Sequence, residues 1–420
     1  MSVEQLRARI AKLDTEIELQ KELLKKLEHD KILARRQLNS VLDPVARLPL
    51  EISSEIFLQS LEPFPMLGVR RVPGPMLLLN ICHAWTKIAL STPALWATIY
   101  MGLPCGIGLK EILPIWLERA CNRPLSISLE GIEAEKVDEE VAAIIRRHGH
   151  QLKHLELFVE PKEDELDGSI LGPLSSLETL TIRCPEQWVL TRHCVLELLR
   201  LAPNLVELIV ESNFSFPDDV IEEVVLPKLR RFWFGDPGEC PIWKDYLLEC
   251  LSLPKLEVLS IATSSDELFP FLKDSSPPLL ELVLRFRDGA IDFATLAEYV
   301  PHLMQFELWY PQYWAVEDLF GVLTKSQSPL AHLRTLVVHI DNFELFELFG
   351  HCDAFWTAMI HALIARRTQL QVFRLIVSSR LRDSDMPAPD ILAAIRELVT
   401  DGMQVSIGQD KRDGQWTLFD

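Results

Sequence analysis

A short run of the form Leu-x-x-Leu/Phe-x-Leu/Ile/Val recurs nine times between residues 152 and 370: LKHLEL (152), LETLTI (177), LVELIV (205), LRRFWF (229), LEVLSI (256), LLELVL (279), LMQFEL (303), LRTLVV (333) and LQVFRL (370). The mean spacing is about 27 residues, a period that marks stacked units, each unable to bury its apolar face alone. In each copy the large residues alternate with other positions, the period of two that puts them on one face of a strand. Helical patterns such as VLELLRLA, WKDYLLECL and FATLAEYV lie between the copies. Strand followed by helix, repeated, predicts an α/β fold with a parallel sheet and helices outside it, over residues 125–420.

This pattern resembles the leucine-rich repeat, in an irregular form. The steps between copies run unevenly from 23 to 37 residues, and only Asn213 matches the Asn or Cys that usually follows the last leucine. An ordinary α/β domain remains the alternative. If the leucines point inward, the residues flanking the second leucine point onto the opposite, concave face of the sheet. That face then holds Glu156, Arg183, Glu207, Glu211, Arg231, Trp233, Glu281, Arg285, Glu307, Trp309, His339 and Arg374, a patch of mixed charge suited to protein recognition. Trp233 and Trp309 are natural anchors there, with Arg285, Glu307 and His339 around them and WYPQYW (309–314) adding aromatics. Each aromatic could equally pack under a loop at its strand end.

Ahead of the repeats, Leu6, Ile10, Leu13, Ile17, Gln20, Leu24, Leu27, Lys31, Ala34 and Leu38 recur at alternating steps of four and three. Residues 1–42 therefore read as a coiled-coil helix, its isoleucines and leucines favouring a parallel homodimer through residues 6–38. A single charged helix, or one folded back on the body, is the alternative. The next stretch, RLPLEISSEIFLQSL (47–61), opens on Pro49, well placed in a first helical turn. At about 100° per residue, Leu50, Phe57 and Leu61 fall on one flank and Leu48, Ile52 and Ile56 on the other. Leaving either apolar flank in water forfeits roughly 1.5–3 kcal/mol per large side chain, so both need covering. Spacing alone does not say which flank meets which neighbour.

After a Pro/Gly/Arg stretch (63–75), Leu78, Ile81, Cys82, Trp85, Ile88 and Ala89 follow helical spacing, and Ser91-Thr92-Pro93 opens a short third helix with Leu95 and Trp96. These residues resemble the F-box motif: Leu48-Pro49-x-Glu51-Ile52, Ile56-Phe57, Cys82-x-x-Trp85, Ile88-Ala89 and Pro93-x-Leu95-Trp96-x-x-Ile99. The match covers about an eighth of the chain, in order across three predicted helices, with an insertion at the Pro/Gly/Arg stretch. WLERACNRPLSISL (116–129) also looks like fungal F-box proteins. The predicted organisation is a coiled-coil helix (1–42), an F-box (43–100), a helical linker (101–124) and the repeat region (125–420).

The resemblance implies the substrate-recognition subunit of a Skp-cullin-F-box ubiquitin ligase, a receptor with no bond chemistry of its own. It implies that Leu48, Pro49, Ile52 and Ile56, with Leu50 and Phe57 on the same helix, serve the Skp-type adaptor, and through it a cullin. Cys82, Trp85, Leu95 and Trp96 would hold the three helices together. The rival reading is an interaction scaffold in which these helices only cap the repeats and bury the second flank internally.

A net charge of -19, from 42 basic and 61 acidic residues, disfavours nucleic acid and anionic membrane as partners. Eight cysteines without a CxxC pair suit a reducing compartment and predict buried thiols. The charged start and the absence of a long apolar run predict a cytoplasmic or nuclear protein, not a secreted one. No GxSxG, Walker, HExxH or GxGxxG motif occurs. GLPCGIG (102–108) reads as loop; His148, His150 and His154 leave a helix and enter a strand and make a poor metal site; Asp218, Asp219, Glu222 and Glu223 read as acidic residues opening a helix. Neither cofactor nor metal is predicted.

Overall fold

The computed structural model describes residues 3–61, 74–102, 109–132, 139–159, 171–184, 189–211, 213–215, 223–235, 247–286, 291–325, 330–340, 352–378 and 386–409. GLPCGIG beyond Gly102, Asp218, Asp219, Glu222 and most of the Pro/Gly/Arg stretch lie outside these residues. The chain divides into two compact units, Met1–Tyr100 with Gly108–Ile127, and Met101–Ile107 with Ser128–Asp420.

In the first unit, α1 (Val3–Leu42) is one continuous helix of 40 residues without a buried side chain. Near its end, Arg36 donates from Nη2 to Leu79 O at 2.7 Å and Thr86 Oγ1 at 3.2 Å, and Asn39 Nδ2 donates to Ile81 O at 3.2 Å. Pro49, extended in ψ and without an N–H, starts α2 (Leu50–Ser60). The second predicted helix is broken: a 3-10 turn, Leu78–Asn80, precedes α3 (His83–Leu90), with Cys82 extended between them. The short third helix is a 3-10 turn, Pro93–Trp96. The predicted linker contains the end of β1 (Thr98–Gly102) and α4 (Leu109–Arg119). β1 neighbours β2 (Leu125–Ile132), where Ser126 N donates to Ala97 O at 2.8 Å.

The second unit is α/β around a large parallel sheet. Its strands are β3 (Leu152–Val159), β4 (Thr179–Arg183), β5 (Glu207–Glu211), β6 (Arg231–Phe234), β7 (Val258–Thr263), β8 (Glu281–Phe286), β9 (Gln305–Trp309), β10 (Thr335–Ile340), β11 (Val372–Val377) and β12 (Gln404–Gln409). They lie side by side in chain order, each pair parallel. Leu155, Leu180, Leu208, Phe232, Leu259, Leu282, Phe306, Leu336, Phe373 and Val405 share one row across the whole run, and all are buried. The first leucine of every repeat copy, from Leu152 to Leu370, is also buried, in the turn or at the strand start. β12 carries no recognisable copy: Val405 and Ile407 take the two inward positions, and Gly402, at φ +100°, stands where the first leucine would be.

Between strands run α5 (Glu139–His148), α6 (Arg192–Leu201), α7 (Ser265–Ser275), α8 (Phe293–Tyr299), α9 (Tyr313–Thr324), α10 (Cys352–Ala365) and α11 (Pro389–Thr400). α7 contacts α8, α8 contacts α9, α9 contacts α10 and α10 contacts α11. Asp292 caps α8, accepting from the backbone N–H of Ala294 and Thr295 at 3.0 and 3.1 Å. The described part of the predicted WKDYLLECL helix is only a 3-10 turn, Leu248–Cys250, running into the short strand Leu251–Ser252 that pairs with Val224–Val225. No helix among the described residues is long and apolar enough to cross a membrane.

Candidate functional site

The flank of α2 that the first unit covers is built differently from expectation. Its inward side is Ser53, Ser54, Phe57 and Leu58. Ser53 is fully buried because its hydroxyl finds acceptors, donating to Val45 O at 3.1 Å and Pro49 O at 3.2 Å. Ser54 and Thr92 share a hydrogen bond of 2.8 Å between their hydroxyls, tying α2 to the residue before the third turn. Phe57, 1% exposed, packs on Trp85 with ring centroids 4.7 Å apart. Phe57 is therefore corrected from an adaptor-facing residue to a core residue. Leu50 departs in the other direction: the first turn of α2 leaves it exposed rather than beside Phe57.

The second flank stays open. Leu48, Ile52 and Ile56 are 41%, 51% and 40% exposed, continuous with Pro49 and Leu50. Behind them the packing is tight. Cys82, Leu95 and Trp96 are buried; Trp96 donates from Nε1 to Ala89 O at 2.8 Å, and Trp116 of α4 donates to Trp96 O at 2.9 Å with the two rings edge to face. Trp85 is half-buried over Phe57. An apolar strip thus rests on a packed, hydrogen-bonded base.

In the second unit, four of the five residues singled out on the sheet face come together. Arg285, Trp309 and His339 occupy one cross-strand row at the ends of β8, β9 and β10. The His339 ring stacks on Trp309 at 3.6 Å, and Nε2 of His339 and Nε1 of Trp309 reach the same oxygen, Glu307 Oε1, at 2.9 and 2.7 Å. Burial pushes the Glu307 carboxyl upward, but the hydrogen bond and charge of His339, the Trp309 N–H and the Arg374 charge outweigh it and hold its pKa low. Tyr310 turns the chain at φ +49°, its N–H donating to His339 O at 2.8 Å, and Arg285 lies 4.9 Å over its ring. Trp314 stands 44% exposed beyond this turn. Trp233 is not part of the cluster: it pairs through Ser260 and Val283 to Glu307, about 14 Å away at the usual strand spacing.

The expected open face is only partly open. His339 is 7% exposed and Glu156 is fully buried. Arg183 lies between two carboxylates, 3.4 Å from Glu156 and 3.1 Å from Glu211, and caps the Phe158 ring. Desolvation raises the Glu156 pKa, against the opposing charge of Arg183 and a hydrogen bond from Ser128. These burials carry no hydropathy signal, because period-two reasoning assigns a face without saying what covers it.

Among the described residues no group of three or more His, Cys, Asp or Glu side chains is placed to hold a metal ion. His148 ends α5, His150 lies in the following 3-10 turn and His154 is on β3. Cys82, Cys184, Cys194 and Cys250 are buried, whereas Cys121, expected buried, is exposed in a left-handed turn. No family model matches the chain, and no curated protein matches it.

Proposed function

We propose that the chain is an F-box substrate receptor of a Skp-cullin-F-box ubiquitin ligase, docking its adaptor on the open flank of α2. The observation that carries this reading is the contrast on one helix: Phe57 sealed against Trp85, Ile52 and Ile56 exposed beside the Leu48-Pro49 start. Three or four large aliphatic side chains in water, on a base already packed, favour a permanent partner over solvent. The scaffold alternative requires that flank to be covered by the chain itself, and the exposure of Ile52 and Ile56 counts against it.

In this reading the second unit is an irregular leucine-rich-repeat-like solenoid that holds the client. The row of inward Leu, Phe and Val residues, in register over consecutive parallel strands, supports it. The client surface centres on Arg285, Trp309 and Tyr310 and on exposed Trp314, with Trp233 as a separate contact; Glu307 and His339 hold Trp309 in place rather than reach outward. The receptor raises the local concentration of client lysines near the ubiquitin-charged enzyme and does no bond chemistry itself. Such a protein works in the cytoplasm or nucleus.

Co-expression with a Skp-type adaptor tests the reading. A complex that survives gel filtration and is lost in Ile52→Asp/Ile56→Asp, with the melting temperature unchanged, is the expected result. A chain that stays soluble and indifferent to adaptor overturns it.

A further inference from the structure

α1 offers an apolar seam that nothing among the described residues covers. Ile10, Leu13, Ile17, Leu24 and Leu27 are 48% to 58% exposed along a helix about 60 Å long. The side-chain hydrogen bonds that Arg36 and Asn39 of α1 make to the turn and helix at residues 79–86 start elsewhere on its circumference. With Ile10, Ile17, Leu24, Lys31 and Leu38 as a positions, and Leu6, Leu13, Gln20, Leu27 and Ala34 as d positions, Arg36 is an f residue and Asn39 a b residue. Those two hold the turn and helix at residues 79–86. The first unit therefore packs on the outer side of α1 and leaves the a/d seam clear.

The charges flanking the seam say what fits it. In a parallel, in-register pair of identical helices each g residue meets the following e residue of its neighbour. This sets Arg9 against Asp14 of the second copy, Glu16 against Lys21 and Asp30 against Arg35, three pairs of opposite sign, while the fourth pair, Leu23 against Glu28, carries no charge repulsion. The fully overlapped antiparallel arrangement sets Arg7 against Arg35, Asp14 against Glu28, Glu16 against Asp30 and Lys21 against Lys21, each pair of like sign. In register Gln20 also faces Gln20, where two amides hydrogen-bond each other, whereas a shifted register places this amide against an aliphatic neighbour. Lys31 facing Lys31 weakens the pair but is tolerated at an isolated a position.

We propose that α1 binds the α1 of a second copy of this chain as a parallel, in-register, two-stranded coiled coil. Because Arg36 and Asn39 fasten the helix end to its own α3 region, the dimer carries two copies of the Leu48/Ile52/Ile56 strip at the same end of the coil. The proposal does not rest on the adaptor reading: it holds or fails on α1 alone.

Sedimentation equilibrium of the full chain should give twice 48.0 kDa. Glu16→Lys, which faces Lys21 of the second copy, should weaken the dimer about tenfold, and adding Lys21→Glu should restore it. Mild oxidation of Ile17→Cys should give a covalent dimer well above the background of the parent chain, since residue 17 meets itself only in this register. A mass of one chain, or of three, overturns the proposal. So does failure of the double charge reversal to restore affinity, or cross-linking of Ile17→Cys to Leu27→Cys in place of itself.

Discussion

The imidazole of His339 lies flat on the indole of Trp309, ring planes 10° apart, and both rings hydrogen-bond the same carboxylate oxygen of Glu307. A single acidic group thereby fixes the orientation of an aromatic side chain on the sheet face. Loss of that group releases the tryptophan, and its effect depends on pH.

Glu307 has a lowered pKa in the folded state, so the stability it contributes is present above the ordinary carboxylate range and is lost as pH falls through the folded value. Glu307→Gln should lower the melting temperature at neutral pH and flatten the acid limb of the stability curve. Glu156 behaves oppositely: its folded pKa is raised, so its contribution is full in acid and disappears as pH rises through that value. Glu156→Gln should therefore hold or raise the melting temperature at neutral pH, with Arg183 still paired to Glu211. Thermal melts of both variants across pH check this, and parallel pH profiles for the two would refute it.

Phe57 and Ile56 are chain neighbours with opposite surroundings. Phe57→Ala should cost about 3–5 kcal/mol, the usual range for emptying a buried aromatic site. Ile56→Asp should change stability by about 0.5 kcal/mol or less. Denaturant midpoints of the first unit's transition distinguish the two.

Arg366, 6% exposed, donates from Nε to Leu323 O at the end of α9 and from Nη1 to Gln369, at 2.8 and 2.7 Å. It follows the end of α10 and caps a carbonyl in the last turn of α9, which has no partner within its own helix. Arg366→Ala should destabilise by about 2–3 kcal/mol, and Arg366→Lys should recover little of it, because one ammonium does not reproduce the fork of the guanidinium. Urea unfolding of the two variants measures the difference; full recovery by lysine would show that charge alone matters.

Phe306 is the seventh of the ten residues in the inward row, fully buried, 6.2 Å from the Phe293 ring of α8. Phe306→Ala should cost about 3–5 kcal/mol. If the row is one continuous core, near-UV circular dichroism and fluorescence should report a single lowered transition; separate transitions would mean that the strands unfold in independent blocks.

The residues whose surroundings depart from their spacing share a cause. Ser53 and Ser54 look like the polar edge of α2, yet they are its inward side, since small hydroxyls close to carbonyls bury without penalty once hydrogen-bonded. The last strand carries no repeat signature, because Gly402 replaces the leucine that announces the others. Alternation places His339 and Glu156 on the sheet's open face, and their burial comes from cross-strand neighbours that no local pattern contains.

What the sequence by itself determined is the set of faces: side-chain periods of two and three and a half leave little choice about which leucines share a side, so the parallel row and the seam of α1 are written in spacing. What only the tertiary structure decided is which face is covered. Coverage depends on residues distant in the chain, as when Trp85 meets Phe57 and leaves Ile52 to the solvent, and no spacing along one helix carries that information.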